Sequence, residues 1–547
     1  MRQTILSVVL DVEPQSARLL SQLIELFKAA QEPPGSVEIW YSDIKKNMPA
    51  LHFMSMSVFE GAAFDPIFVI EVNFDGPPGP FWAQMEAAFA QDLREMLRCC
   101  KRPEDGDGPM YDAVTERLSR YPLAPYLQKR TQGPSVFHQG NRGLGRDQIL
   151  DEHALFLATR KALAQPDPAV PNPFRGIAAG AIHQKLRGQL LAAFPWLATS
   201  APARISAVDR ALDWLKLVLF AFAVLFCLSI PGMAIAPQTP ALRFFVLTAT
   251  LAAVFGIALW RMRAARAGEG VKTSSGGLSV ARMSFRNKVI LAAGLAIGLL
   301  AYLAVATLLC ALVVAPVTGQ PYGMALWLTF RGILLGLVSV AAIGLGVVVW
   351  LRRLERRDPS QDAPPVAPRL MDEMARREDW IPQNHMGSVV LVKPGVLRTA
   401  LFRAGHLGLG LVLRAIATDG YLGSMRTVHF AHWAFVNNAS RLMFFSNFDL
   451  SWESYLDDFI EKAHGGLTLA WGSGVGFPPT RFLVIDGASH GRKFKAWARH
   501  SMAVSRFWYS AYRDLTVDQI ERNTRIANGL RNAMLSEQEA VVWARDL

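Results

Sequence analysis

The sequence predicts an α+β fold built twice: two ferredoxin-like repeats (βαββαβ plus an extra αβα) forming a pseudo-dimeric barrel, separated by four transmembrane α-helices. Three observations lead there. Long uncharged stretches are confined to the middle of the chain, strand and helix periodicities occupy both flanks, and two landmark strings recur in the same order in each flank. With 547 residues the chain exceeds what one hydrophobic core organises. With 51% hydrophobic and 19% charged residues it suits a mixture of water-soluble and membrane-embedded parts, and disorder is excluded as its main state.

The expected membrane helices cover 217–235, 244–260, 289–314 and 324–351, within a block from 213 to 351. About 20 apolar residues cross a bilayer. The stretch 315–323, with Pro316, Gly319, Pro321 and Gly323, reads as a turn between the last two. A connector (166–212) precedes the block and a basic linker (352–380) follows it. Lys and Arg crowd one side: Arg204, Arg210 and Lys216, then the loop from Arg261 to Lys288, then Arg352, Arg353, Arg356 and Arg357. By the positive-inside rule both arms and both termini are expected on the cytoplasmic side of an inner or plasma membrane. Arg331 reads as a headgroup-level residue that snorkels. The helices contain no Asp or Glu, which argues against an ion-coupled transporter. In the connector, 182–197 has the composition of a helix lying in the membrane interface or, equally, of one packed on an arm.

The net charge of +12 is concentrated beside these apolar segments, so anionic membrane lipids rather than nucleic acid are the expected counter-ions. The four cysteines are Cys99, Cys100, Cys227 and Cys310: two adjacent and two inside apolar stretches, a spacing that gives neither a disulfide framework nor a zinc site. Residues 5–10 alternate as a strand does and do not read as a secretory leader.

The recurrence defines the arms, 1–165 and 381–547. Leu51, His52 and Phe53, followed by Asn73, Phe74 and Asp75, match Val428, His429 and Phe430, followed by Asn447, Phe448 and Asp449. Further on, Phe137, Arg142, Leu144, Asp147 and Gln148 match Trp508, Arg513, Leu515, Asp518 and Gln519, at nearly equal intervals. In the first arm the pattern gives strand 5–12, helix 15–30, strands 51–59 and 67–74, helix 80–100, an obscure fourth strand and a final helix 146–163. In the second it gives strand 387–392, helix 396–417, strands 427–436 and 441–448 joined by a hairpin at Asn437 and Asn438, helix 451–469 and a fourth strand 481–485. Helix 493–499, strand 507–511 and helix 517–532 complete it, the last with a capping box formed by Thr516 and Gln519.

A duplicated βαββαβ unit of this kind resembles the dimeric α+β-barrel superfamily, which includes dye-decolourising peroxidases, chlorite dismutases and small monooxygenases. The resemblance implies paired sheets enclosing a cavity and, in several members, a haem. The Gly-x-x-Asp-Gly string of the peroxidases is missing: Asp75 and Gly76 follow Val72, Asn73 and Phe74, and Asp449 is followed by Leu450.

Candidate site residues follow from the paired landmarks. His429, Asp449 and Arg513 are candidates for catalysis, and His52 and Arg142 for holding a cofactor, with haem the cofactor considered and no metal site expected. Histidine is the commonest haem ligand and general base. Each has a structural alternative: a hydrogen-bonded histidine in a strand, an aspartate in a turn that caps a helix, and an arginine in a salt bridge between the arms. Two function classes remain. One is a membrane-tethered oxidoreductase of peroxidase-like character acting on a lipophilic or oxidising small molecule; the other is a non-enzymatic binding or scaffold module for a partner protein, a second copy of the chain or a lipid.

Overall fold

The computed structural model describes residues 3–32, 41–61, 64–164, 172–235, 285–416 and 425–547. The first arm runs β1 (Gln3–Asp11), α1 (Ala17–Gln31), α2 (Ser42–Asn47), β2 (Leu51–Gly61), β3 (Phe64–Asp75), α3 (Pro78–Leu97), α4 (Gly108–Thr115), α5 (Ala124–Lys129), β4 (Thr131–Gln132), β5 (Val136–Gln139) and α6 (Arg146–Leu163). Next come α7 (Ala179–Leu190) and three long apolar helices, α8 (Ala207–Ile235), α9 (Phe285–Thr318) and α10 (Tyr322–Arg356). The second arm runs α11 (Pro368–Ala375), β6 (Gln383–Leu391), α12 (Val396–Ile416), β7 (Val428–Val436), β8 (Arg441–Asp449), α13 (Trp452–Trp471), β9 (Thr480–Arg481), β10 (Ile485–Asp486), α14 (Gly491–Ser501), β11 (Met502–Ala503), β12 (Ser505–Ser510), α15 (Val517–Arg531) and α16 (Glu537–Ala544).

Two antiparallel five-stranded sheets result, in the orders β12-β2-β3-β1-β4 and β11-β6-β8-β7-β5. Each takes its edge strand from the other arm. Strand β12 pairs with β2, with Ser510 opposite Phe53, and β5 pairs with β7, with His138 opposite Ala431. The central strands β2, β3, β7 and β8 are buried on both faces, because helices cover one face and the opposite sheet covers the other. Between the sheets Phe59, Ile67 and Val69 meet Val389, Ala434, Met443 and Phe445. Outside the first sheet lie Leu20, Ile24 and Phe27 of α1 and Trp82, Met85 and Phe89 of α3; outside the second lie Phe402, Trp452, Tyr455, Trp471 and Trp497.

Local details repeat in both arms. The β2–β3 register shifts between Leu51 and Phe53, and the β7–β8 register shifts between Val428 and Phe430. Helix α3 breaks at Phe89 (φ −136°, ψ 23°) and α13 at Ala463 (φ −141°, ψ 21°). The expected hairpin is present, its connection running over four residues from Asn437 to Ser440, of which Asn437, Asn438 and Ala439 are left-handed (φ 50°, 56° and 66°).

Two expectations change. Residues 481–485 do not enter the large sheet: Phe482 and Leu483 are left-handed (φ 56° and 59°) and form the tip of the β9–β10 hairpin, while the strand beside β6 is β11. The obscure fourth strand of the first arm is β4, two residues beside Ser7 and Val8. Of its two alternatives, 182–197 packs on the arms: His183 Nε2 lies 2.8 Å from the Gly529 carbonyl, and Leu186 and Leu190 are buried with Ile526 and Leu530.

Among the described residues three helices, not four, are long and apolar enough to cross a membrane: Ala207–Leu228, Tyr322–Arg356 and Val396–Ala415. The expected span 244–260 lies outside the described residues, and the apolar stretch described in α9 is the shorter Leu303–Thr318. Val396–Ala415, expected as an arm helix, packs Phe402, Leu409 and Leu413 onto the second sheet. A helix that covers a sheet and also touches an apolar neighbour has few polar positions, so composition alone does not separate it from a membrane span.

Candidate functional site

The paired landmark residues form one arrangement twice. His52 Nε2 sits 3.2 Å from Asp75 Oδ1 and His429 Nε2 2.8 Å from Asp449 Oδ1. The other oxygen of each aspartate accepts a backbone N–H at the start of a final helix: Asp75 Oδ2 from Arg146 at 2.7 Å and Asp449 Oδ2 from Val517 at 2.8 Å. Each aspartate therefore fixes a central strand to a helix N-terminus, where a carboxylate is favoured by the exposed N–H groups and the helix dipole. Ser451, rather than Asp449, caps the helix that follows its strand, and Thr516 with Gln519 forms the expected capping box.

His52 is buried, with its second nitrogen 2.9 Å from the Tyr512 hydroxyl. Arg142 donates at 2.7 Å to Asp213 and at 3.0 Å to the Arg414 carbonyl, and Arg414 itself donates to Asp213 at 2.9 Å. An axial haem ligand needs an uncommitted imidazole nitrogen facing a cavity. His52 is enclosed between Asp75 and Tyr512, and Arg142 is spent on tying α6's approach to α8, so these two residues do not fit a haem.

A different cluster occupies the space between the sheets. Glu71, in the middle of β3, is fully buried. Its Oε1 accepts from Asn73 at 2.7 Å and Asn447 at 3.1 Å, and its Oε2 accepts from Ser55 at 3.0 Å and His385 Nε2 at 3.2 Å. Burial by itself pushes this carboxyl up, but the hydrogen bonds from His385 and Asn73 and the electrostatic pull of the His385 and His432 imidazoles outweigh it and hold the group down to about 2, so it is ionised. His432 stands with Nδ1 4.0 Å from Oε1 and Nε2 3.0 Å from Ser7 Oγ. Burial pushes His432 down to about 4, against the pull of Glu71, so its ring is neutral.

His385 connects this interior to the surface. Its Nδ1 lies 2.5 Å from Ser505 Oγ, at the start of β12, and its ring stacks on Trp508, whose indole N–H donates to Asn447 at 2.8 Å. Ser505 and His385 form part of the wall of a cleft of about 490 Å³ at the seam of the arms. The first arm contributes Lys28, Glu32 and Tyr41; the second contributes residues from Met374 to His385 and from Met502 to Arg513. Of the sequence candidates only Arg513 lines it; His52, Arg142, His429 and Asp449 do not. The one histidine on its wall, His385, has both nitrogens in hydrogen bonds, so a haem finds no ligand here either.

Glu71, His385 and Ser505 were missed by the sequence reading because they belong to no repeated string. A signal was present: Glu71 is a single charge inside the apolar run from Ile67 to Val72, and a charged residue there needs buried partners. Among the described residues no group of three or more His, Cys, Asp or Glu side chains is placed to hold a metal ion. No family model, curated protein or solved structure matches the chain.

Proposed function

We propose that the chain is a multi-pass membrane protein whose two cytoplasmic arms, diverged copies of one ferredoxin-like module, form a single body that binds a small anionic molecule with an apolar portion. This develops the lipid-binding alternative. Duplication is supported by the equal strand order of the two sheets when each is read from its exchanged strand, by the matching bulges and helix breaks, and by the two histidine–aspartate caps. Orientation rests on the basic residues flanking the apolar helices.

The observation that carries the ligand reading is the wall of the seam cleft, where four cations, Lys28, Arg376, Arg377 and Arg513, outnumber two carboxylates, Glu32 and Glu378, and stand beside Met374, Trp380, Ile381 and Trp508. Cationic side chains favour a phosphate or carboxylate, and the apolar side chains bury a chain or ring. Trp380 is 79% exposed, an aromatic placed at the mouth with no apolar cover of its own.

Purified full-length protein in lipid nanodiscs, titrated with decyl phosphate, should show saturable binding through tryptophan fluorescence. Decanol should bind at least tenfold more weakly, and Arg376→Ala with Arg513→Ala should weaken decyl phosphate by a similar factor, about 1.4 kcal/mol. Equal binding of phosphate and alcohol, or no effect of the double substitution, would remove the proposal.

A further inference from the structure

We infer that Ser505, His385 and Glu71 form a nucleophilic relay that cleaves an ester in the seam cleft; the inference rests on the reading of that cleft as a ligand site. The three groups stand in sequence, 2.5 Å from Ser505 Oγ to His385 Nδ1 and 3.2 Å from His385 Nε2 to Glu71 Oε2. That is the order nucleophile, base and orienting carboxylate that acyl transfer uses, recognised by geometry rather than by position in the chain. Either ring nitrogen can serve as the base provided the other is held as a donor.

Glu71 decides the tautomer. An ionised carboxylate only accepts, so His385 Nε2 carries the proton and Nδ1 presents its lone pair to the serine hydroxyl. Trp508 and Phe445 pack on the ring, with centroids 6.2 and 5.9 Å away, and limit its rotation. Glu71 is in turn fixed by Ser55, Asn73 and Asn447, so the relay is supported from both sheets. Ser505 is partly exposed and lines the cleft, whereas Glu71 is sealed from water.

The cluster also departs from the arms' symmetry. The features repeated in both halves are caps, bulges and helix breaks, which maintain the fold. With β3 taken as the equivalent of β8 and β1 of β6, Glu71 corresponds to Phe445, and His385, opposite Asn447 as Ile5 is opposite Asn73, corresponds to Ile5, both apolar. A polar chain present in one half only, reaching a cleft, is not required by the shared architecture.

The step balances with water as the second reactant. Ser505 Oγ bonds to the ester carbonyl carbon while its proton passes to His385 Nδ1; the carbon–oxygen bond to the alcohol then breaks and the alcohol leaves with that proton. Water, deprotonated by His385, attacks the acyl-serine, releasing the acid and restoring the serine hydroxyl.

The test is covalent labelling of the full-length protein in nanodiscs with an alkyl fluorophosphonate, which forms a serine oxygen–phosphorus bond as fluoride leaves. Mass spectrometry should find the adduct on Ser505 and none there in Ser505→Ala. His385→Gln should slow labelling roughly 100-fold. Glu71→Gln, whose amide can donate to Nε2 and hold the unproductive tautomer, should slow labelling comparably while decyl phosphate affinity is kept; a merely structural role would move both together. Wild-type protein unlabelled at Ser505, or labelled at the same rate in His385→Gln, overturns the relay. Decyl phosphate binding with no labelling defeats the relay alone, and labelling without decyl phosphate binding upholds the relay while defeating the anionic ligand reading.

Discussion

A carboxylate taken out of water between two sheets costs several kcal/mol unless hydrogen bonds and charge compensate it. Glu71 has that compensation from Ser55, Asn73, Asn447 and His385. Glu71→Leu removes the acceptor and leaves four buried donors unanswered, so it should destabilise the protein by about 3–5 kcal/mol, read as a lowered denaturation midpoint. Acid should act on the same region. His432 and His138 are both pushed down to about 4, first by burial, and so are neutral in the folded protein. Their folded values lie below the unfolded value of about 6.5, so the unfolded chain binds more protons between the two and stability falls as pH drops from about 6.5 to 4, by roughly 3 kcal/mol per residue at the limit. Glu71, whose folded value is also depressed, adds a further loss between about 4.5 and 2. Thermal melts across this range should show the fall, and His432→Gln should flatten its upper part; an unchanged slope in that variant would place the proton uptake elsewhere. At this scale the sequence revealed the recurring residues and hid the unique ones. His52, Asp75, His429 and Asp449 stand in strings that recur, whereas Glu71 and His385 gain meaning only when sheets from opposite ends of the chain meet.

Strands and helices were largely legible, because period and turn chemistry act over a few residues. The Asn437 and Asn438 hairpin, the capping box at Thr516 and the final helices all lie where local pattern put them. Partner choice was not legible. Residues 136–139 and 505–510 carry the composition of short strands, but nothing within either says that it pairs in the other arm. The caps link this exchange to the helices, since Asp449 holds both His429 on β7 and the N-terminus of α15. Asp449→Ala should therefore cost more than a typical cap, about 2–4 kcal/mol, because it also leaves a buried imidazole without its partner. Hydrogen exchange should show Val517 and the following amides losing protection before the rest of the arm. Uniform loss across both sheets would mean that the cap is not a local fastening.

On the scale of the whole molecule, the arms and the long apolar helices α8 and α10 are fastened by two buried carboxylates. Asp213 on α8 joins Arg142 of the first arm to Arg414 of the second, and Glu355 at the end of α10 accepts from the Phe482 and Leu483 amides and the Thr480 hydroxyl. The second arm alone, from about Asp372 to Leu547, would lose Asp213, the β5 strand that covers the edge of β7, and the β2 partner of β12. It would also bare the face formed by Val389, Met443 and Phe445 and separate His385 from Glu71. An unpaired strand edge beside an uncovered apolar face favours association. Expressed by itself this arm should aggregate or form a dimer that exchanges its own edge strands, and co-expression with residues 1–216, which restore β5, β2, Glu71 and Asp213, should yield a soluble one-to-one complex by size exclusion. A monomeric, cooperatively folding second arm would mean that the exchanged strands are ornaments of the edges rather than the joint on which the two arms depend.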